Sequence, residues 1–286
     1  MLFILFASFS ACGQNNETNE IKSANSENKK ISATYNIINP DGNTLKSRIY
    51  TPNDFERTKI EQNTFAYYLR NLPLKKHGEK VKYYNGDFKE NYNVYVAVVD
   101  KKIGNKNLHQ CADAIMHLRA DYFYTQKQFN NIHFNFTNGM NVKYSEWIKG
   151  KRIAVKGNKT HWTQSAKASN TYNDFWNYME KIFTYAGTFS LSKELIPVKI
   201  EEMQIGEVFI HGGFPGHGII VLDMAENKKT GEKLFLLAQS YMPAQEIQIL
   251  QNPNNKQISP WYSLNFEGKL YTPEWTFEKS ELKRFP

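Results

Sequence analysis

The chain has 286 residues, of which 41% are hydrophobic and 14% aromatic, and this is enough to bury one sizeable core. Its 36 lysines and arginines outnumber its 28 acidic residues and give a formal charge of +8. The basic residues are scattered in short groups and form no helical stripe with interleaved aromatics. The sequence therefore argues against a nucleic-acid partner and fits attraction to anionic envelope surfaces.

The first eleven residues form an apolar stretch that ends in Phe-Ser-Ala before Cys12. The stretch is too short to span a bilayer as a helix, and small residues before a cysteine are what a signal peptidase requires. The run Ser-Ala-Cys12-Gly resembles a bacterial lipobox, although Phe9 stands where leucine is usual and no basic residue precedes the stretch. We predict a signal peptide over residues 1–11 and lipid on Cys12. A buried N-terminal strand is the alternative.

The next part of the chain, through residue 31, is rich in Asn, Glu, Lys and Ser. Such a run cannot offset the entropy of ordering itself, so it predicts a flexible tether over residues 12–31. A single α+β domain is expected over residues 32–286. Lipid on Cys12 would attach the protein to a membrane of the cell envelope, facing the periplasm or the cell surface. The outer membrane is favoured because Gly13 is not a retention signal of the aspartate kind.

Periodicity predicts the elements of the domain in chain order. An apolar 3–4 spacing predicts a helix over residues 65–71, which should stop before Pro73. A helix is also expected from about residue 108 to 128, with Asn107 and Gln110 as a capping box. A further helix is expected over residues 170–185, and β-branched and aromatic runs predict strands over 92–99, 132–136, 206–210, 217–223, 233–239 and 246–250. Helices thus precede an antiparallel meander.

Cys111 falls in the first turn of the predicted 108–128 helix. If Cys12 carries lipid, Cys111 is an odd thiol in an exported protein, which points to a reactive side chain. Free amides and aligned peptide dipoles at a helix start favour a thiolate. We predict that Cys111 is a nucleophile. Its own amide, with a side chain of Gln110 or His109, is a candidate donor to an oxyanion.

A thiol nucleophile needs a base that takes its proton and delivers it to the leaving group. His217 begins an apolar strand directly after the glycine-rich run 212–216, so it is the predicted base. His211, on the same loop, is the substitute. His109 is near Cys111 in sequence, but a helix start should aim the two side chains apart. His117 is assigned to the surface or flank of the helix.

The base usually has a third group that orients it. Gln239 ends the strand that should pair with the His217 strand, and its amide is the predicted orienting group. The alternative is a polar side chain that merely satisfies a strand end. Asp223 is a competitor, but it lies at the far end of its strand from His217. Tryptophans at positions 147, 162, 261 and 275 either line a groove or pack in the core.

Several motifs carry a family resemblance. They include Gln110-Cys-Ala-Asp-Ala, Tyr185-Ala-Gly-Thr, Pro215-Gly-His-Gly and Thr272-Pro-Glu-Trp, together with the run over residues 236–245. With these motifs the chain resembles a bacterial lipoprotein family catalogued as domain of unknown function 4846. That family name brings no established reaction.

A looser resemblance implies a mechanism. A cysteine at a helix start, followed by Gly206-Glu-Val-Phe-Ile and later Gly216-His-Gly, is similar to the NlpC/p60-like cell-wall peptidases and amidases. The resemblance implies a papain-like fold, in which an N-terminal helix carrying the cysteine is followed by an antiparallel sheet. It also implies Cys111 as nucleophile, His217 as base and Gln239 as third group. Gln110 departs from the usual Asp or Asn, and the segment between Cys111 and His217 is unusually long.

The sequence thus leads to two functional hypotheses. The first is a lipid-anchored thiol hydrolase that cleaves an amide or peptide bond, with peptidoglycan or a peptide as substrate. The second is a non-catalytic envelope lipoprotein that keeps the papain-like scaffold for binding. No cofactor is expected, because neither Cys-x-x-Cys nor His-x-x-x-His spacing predicts a zinc site.

Overall fold

The structure is a computed structural model that describes residues 36–286. The predicted signal peptide over residues 1–11, the lipid on Cys12 and the tether over residues 12–31 lie outside the described residues. The described part belongs to one compact unit. None of its helices is both long enough and apolar enough to cross a membrane.

Helices and strands alternate irregularly along the described chain. The helices are α1 (Leu45–Arg48), α2 (Phe65–Arg70), α3 (Cys111–Thr125), α4 (Tyr144–Trp147), α5 (Tyr172–Tyr185) and α6 (Thr188–Glu194). The strands are β1 (Phe55–Arg57), β2 (Tyr95–Val98), β3 (His133–Asn135), β4 (Asn141–Lys143), β5 (Lys151–Lys156), β6 (Lys159–Gln164), β7 (Ile196–Pro197), β8 (Val208–His211), β9 (His217–Asn227), β10 (Lys233–Gln239), β11 (Gln248–Leu250), β12 (Tyr262–Ser263), β13 (Leu270–Tyr271), β14 (Thr276–Phe277) and β15 (Leu282–Arg284).

A nine-stranded antiparallel sheet organises the described chain. Its order is β2-β11-β10-β9-β8-β15-β7, with β1 paired to β9 and β12 paired to β10. The predicted α+β class and the antiparallel meander of β8 to β11 are confirmed. Strands from both ends of the described chain also join this sheet, which the simple order of helices before strands did not predict. The pairs β3/β4, β5/β6 and β13/β14 are separate two-stranded ribbons.

Both faces of the central strand β9 are covered. Ile220 and Leu222 belong to the cluster that contains the helices, whereas Ile219 and Val221 belong to a second cluster on the other face. Neighbouring side chains of a strand point to opposite faces, so a strand buried on both sides reads as one apolar run. Helix α3 approaches closely at Gly218, where an added Cβ would lie 3.0 Å from Cδ1 of Ile115.

Helix α3 begins three residues later than predicted. Asn107 does not cap it, because its side-chain oxygen accepts a hydrogen bond from the amide of Ala244 at 2.8 Å. Gln110 is the N-cap residue, and its backbone amide donates to Oδ2 of Asp113 at 3.0 Å. Cys111 is therefore the first residue of the helix, which places it even closer to the free amides than the sequence predicted.

A buried ion pair ties the amino-terminal segments to the sheet. Asp223 is fully buried in β9, and its two oxygens lie 2.6 Å from Nε of Arg57 and 2.7 Å from Nε of Arg70. Arg57 comes from β1 and Arg70 from α2. Because both carboxylate oxygens are engaged, Asp223 is a structural anchor and does not compete for His217.

Candidate active site

The sulfur of Cys111 lies at the contact between α3 and β9. The thiol is free and only 8% exposed. The backbone amides of Ala112 and Gly218 lie near the sulfur and lower its pKa, which favours the thiolate. Gly218 directly follows His217, so the start of α3 lies against the first residues of β9, the strand that carries the predicted base.

Two hydrogen bonds fasten the start of α3 to the end of β10. Asn107 accepts from the amide of Ala244, and the hydroxyl of Ser240 donates to the carbonyl of His109 at 2.9 Å. Ser240 is the residue after Gln239. The segment that carries the predicted nucleophile is therefore tied to the segment that carries the third predicted residue.

His217 and Gln239 form a direct hydrogen bond. Nε2 of His217 lies 2.8 Å from Oε1 of Gln239, and both side chains are buried. This contact arises because His217 begins β9 and Gln239 ends the antiparallel neighbour β10. The structure thus joins two predicted site residues directly and brings Cys111 to the strand through Gly218. Within the described chain, no hydrogen bond joins the sulfur to the imidazole itself.

Aromatic side chains enclose the imidazole. The ring centroid of His217 lies 4.8 Å from that of Tyr241, 5.4 Å from Trp275 and 5.9 Å from Phe277. Trp275 therefore covers the predicted base, whereas Trp147 and Trp261 are core residues. Such a wall restricts the ring to one orientation and excludes water from it.

Burial shifts the thiol and the imidazole in opposite directions. It raises the pKa of Cys111 to about 11, and the nearby Asp113 adds to that shift. It also lowers the pKa of His217 to about 4, although the hydrogen bond to Gln239 acts in the opposite direction. Burial disfavours the charged form of each group. The resting site consequently holds a neutral thiol beside a neutral imidazole rather than a preformed ion pair.

A cleft of about 210 Å³ opens beside Cys111. Gln110, Asp113 and the 213–216 loop line it, whereas His217 is not part of its lining. On the rim, Phe214 is 94% exposed and Met242 is 60% exposed. The lining contains no lysine or arginine. Hollows of about 280 and 600 Å³ lie elsewhere on the described surface, but neither reaches Cys111.

The loop of the cleft is packed against α6. A Cβ on Gly216 would lie 2.3 Å from Oγ1 of Thr188, so only glycine fits there. The Thr188 hydroxyl also donates to the carbonyl of Gly213 at 3.2 Å. These contacts hold Phe214 at the rim, outside the core.

Two neighbouring histidines have roles that the sequence analysis misplaced. His117, predicted on the surface or flank of the helix, is 1% exposed, and its Nδ1 lies 3.1 Å from Nε2 of the fully buried His109. Both rings pack edge-on against Phe183. The predicted surface position of His117 is wrong because α3 is covered by other elements on more than one side, so it has no fully solvent-exposed polar face there. His109 consequently cannot serve as an oxyanion donor in the cleft. Gln110 does line the cleft, as that role requires.

The buried histidine pair predicts acid sensitivity. Burial lowers the pKa of His117 from 6.5 to about 4, so between these pH values the unfolded chain binds a proton that the folded chain does not. The free energy of unfolding should therefore fall as pH falls, by up to about 1.4 kcal/mol per pH unit for this group. We expect His117→Asn to flatten that slope in chemical denaturation measured from pH 7 to 4. The exposed His77→Asn should leave it unchanged, and equal slopes in the two variants would contradict the assignment.

Glu274 and Lys89 were not among the residues predicted from the sequence. Oε2 of Glu274 accepts from Nε2 of Gln239 at 2.6 Å, and Nζ of Lys89 lies 2.6 and 2.8 Å from the two Glu274 oxygens. The only sequence signal was that Glu274 lies in the Thr-Pro-Glu-Trp motif. Among the described residues, no group of three His, Cys, Asp or Glu side chains is arranged to hold a metal ion. That no cofactor is needed stays a prediction.

The chain matches a known protein family. The family model described as domain of unknown function (4846) matches residues 45–284. The chain belongs to this family. The match covers Cys111, His217, Gln239 and Glu274, so the whole site lies within the family domain. No curated protein matches the chain, and no solved structure does.

Proposed function

We propose that this member of the family is a lipid-anchored thiol hydrolase of the cell envelope that cleaves an amide or peptide bond. Cys111 is the nucleophile, His217 the base and Gln239 the orienting group. The observation that carries the proposal is that the amide of Gly218 lies near the Cys111 sulfur and lowers its pKa, directly after a histidine that is bonded to Gln239. Peptidoglycan is the substrate class favoured by the compartment that the leader predicts.

The proposal includes a papain-like arrangement of the site. Its support is that α3, which begins at the nucleophile, packs on β9, which begins at the base. The third polar residue comes from the adjacent antiparallel strand β10. Cysteine, histidine and a polar side chain therefore come from one helix and two neighbouring strands, as the resemblance to cell-wall peptidases implies.

The reaction follows from these contacts. Nε2 of His217 is engaged with Gln239, so Nδ1 is the ring nitrogen that takes the thiol proton while the sulfur attacks the carbonyl carbon. The amide at the helix start stabilises the resulting oxyanion. Nδ1 then protonates the leaving amine, which leaves a thioester on Cys111. Attack of water, with its proton passing to His217, releases the acid and restores the thiol.

The cleft supports a peptide-like substrate. Its walls include Phe183 and Phe189, and the exposed Phe214 and Met242 stand at its rim. Exposed large apolar side chains around a concave site are typical of ligand contact. Because the lining has no cationic side chain, affinity for the substrate must come from apolar packing and hydrogen bonds.

One observation favours the second candidate, a non-catalytic envelope binding protein. The same burial that positions Cys111 raises its pKa to about 11, and His217 is only 1% exposed. A thiol governed by that pKa alone has only about 10⁻⁴ of its population ionised at pH 7. In a binding protein the cleft would hold a wall fragment without using the sulfur.

Thiol alkylation separates the two candidates. With iodoacetamide at pH 7, a hydrolase should react at least about 100-fold faster than an unassisted thiol of pKa 11, because His217 accepts the proton. His217→Ala should remove that advantage. His211→Ala is the matched control, since His211 lies directly opposite His217 across the β8/β9 pair and is exposed.

The binding protein predicts a different profile. Its alkylation rate should climb about tenfold per pH unit toward pH 11 and should be the same with and without the His217 ring. That result would overturn the hydrolase proposal. Mass spectrometry of the alkylated peptide assigns the reaction to Cys111.

A further inference from the structure

We propose that Glu274, paired with Lys89, is a positioning residue that sets the tautomer of His217 by orienting the amide of Gln239. This inference rests on the proposed function for its catalytic consequence. Its structural basis is a continuous run of contacts from the imidazole through Gln239 and Glu274 to Lys89.

The orientation of the Gln239 amide follows from what a carboxylate can do. An ionised carboxylate only accepts hydrogen bonds, so Glu274 must face the NH₂ group of Gln239 and not its oxygen. The amide oxygen then faces Nε2 of His217 at 2.8 Å. Because that oxygen only accepts, Nε2 must carry the hydrogen.

The consequence falls on the other ring nitrogen. A neutral imidazole carries one hydrogen, so a hydrogen on Nε2 leaves Nδ1 with a free lone pair. That lone pair is what a base needs to take the thiol proton of Cys111. An amide turned the other way would present NH₂ to Nε2, move the ring hydrogen to Nδ1 and remove the base.

Lys89 fixes the position of the Glu274 carboxylate. Its side chain is 4% exposed, and its Nζ bonds to both carboxylate oxygens and to Oε1 of Gln245 at 3.1 Å. Because the pair is neutral overall, its contribution is mainly orientation and not a charge at the imidazole.

The chain supplies this arrangement from three separate places. Lys89 precedes β2, Gln239 ends β10, and Glu274 lies in the turn between β13 and β14. The next residue, Trp275, covers the ring of His217. The segment from 272 to 277 therefore holds the imidazole on its face and sets its hydrogen through Gln239.

The test uses ¹⁵N-histidine spectra of the whole protein, which report the tautomer directly. The wild-type protein should show His217 with hydrogen on Nε2, and an Nδ1 hydrogen there would overturn the proposal without any variant. Glu274→Gln is isosteric but can both donate and accept, so it should populate the Nδ1 tautomer. It should also slow alkylation of Cys111 by iodoacetamide at pH 7 by roughly 10- to 100-fold.

Glu281→Gln is the matched control, because Glu281 pairs with the neighbouring His211 and not with Gln239. It should leave the tautomer of His217 and the alkylation rate unchanged. If Glu274→Gln leaves the His217 tautomer and the alkylation rate of Cys111 unchanged, while His217→Ala slows alkylation, only the role of Glu274 is overturned. If His217→Ala also leaves the alkylation rate of Cys111 unchanged, the proposed function is overturned. The spectra would still decide the tautomer of His217.

Discussion

Under the proposed function, replacing Cys111 with serine is expected to abolish hydrolysis of muropeptides and peptides while the protein stays folded. A serine hydroxyl is a far weaker nucleophile at this site, because the imidazole that must take its proton has a pKa of about 4. Loss of a nucleophile or its base in a catalytic set of this kind costs about 10⁴-fold or more in kcat. Turnover is measured by release of a free amine, with thermal unfolding as the check on folding.

The histidine variants sharpen this prediction. His217→Ala should lose about as much activity as Cys111→Ser, and the double variant should lose little more, because the two groups act as one unit. Gln239→Ala should lose less, since it orients the base without touching the reacting atoms. His211→Ala, exposed and across the strand pair, should retain wild-type turnover. Full activity in Cys111→Ser would end the mechanism.

Replacing Asp223 with asparagine is expected to destabilise the fold by about 3–5 kcal/mol. Asp223 is fully buried, and the change would leave Arg57 and Arg70 facing an amide, with guanidinium side chains only 15% and 8% exposed. Removing one partner of a buried pair costs more than the pair contributes, because the remaining charge has lost its solvation. Denaturant unfolding at pH 7 measures the change in free energy.

Asp54→Asn is the control for that prediction. Asp54 pairs with Lys229 at 3.9 Å, but both side chains are largely exposed, at 67% and 84%. Asp54 also has a positive φ, which asparagine tolerates as well as aspartate does. An exposed pair contributes only about 0–1 kcal/mol, so the control should be nearly neutral. Equal losses in the two variants would show that burial of the Asp223 pair is not the cause.

Local pattern predicted the part of the site that adjacent strands and a helix start can specify. Cys111 opens α3, and His217 meets Gln239, because a hairpin of two antiparallel strands brings the start of one beside the end of the next. These relations depend only on the hydrophobic periodicity of the sequence and on the order of its helices and strands. The late start of α3 was missed because Asn107 bonds to Ala244, a residue far along the chain.

Other features of the site depend on contacts that no local pattern encodes. Glu274 and Lys89 come from loops that meet only when the sheet closes around Gln239. His117 has a polar side chain on a helix whose polar face would normally meet solvent, yet it is buried against His109 and Trp176. In both cases the surroundings of the side chain include residues from segments distant in the chain, which local periodicity does not report.

The sequence by itself determined the α+β class, the antiparallel meander, the family and which side chains carry the candidate chemistry, because hydrophobic period, helix starts and turn residues are local properties. Only the tertiary structure decided that the Cys111 thiol is nearly buried and that burial raises its pKa to about 11. Only the tertiary structure brought the Glu274–Lys89 ion pair to the amide of Gln239. Desolvation and hydrogen-bond orientation depend on what surrounds a group from every side. Those surroundings come from segments that are distant in the chain and adjacent only in the fold.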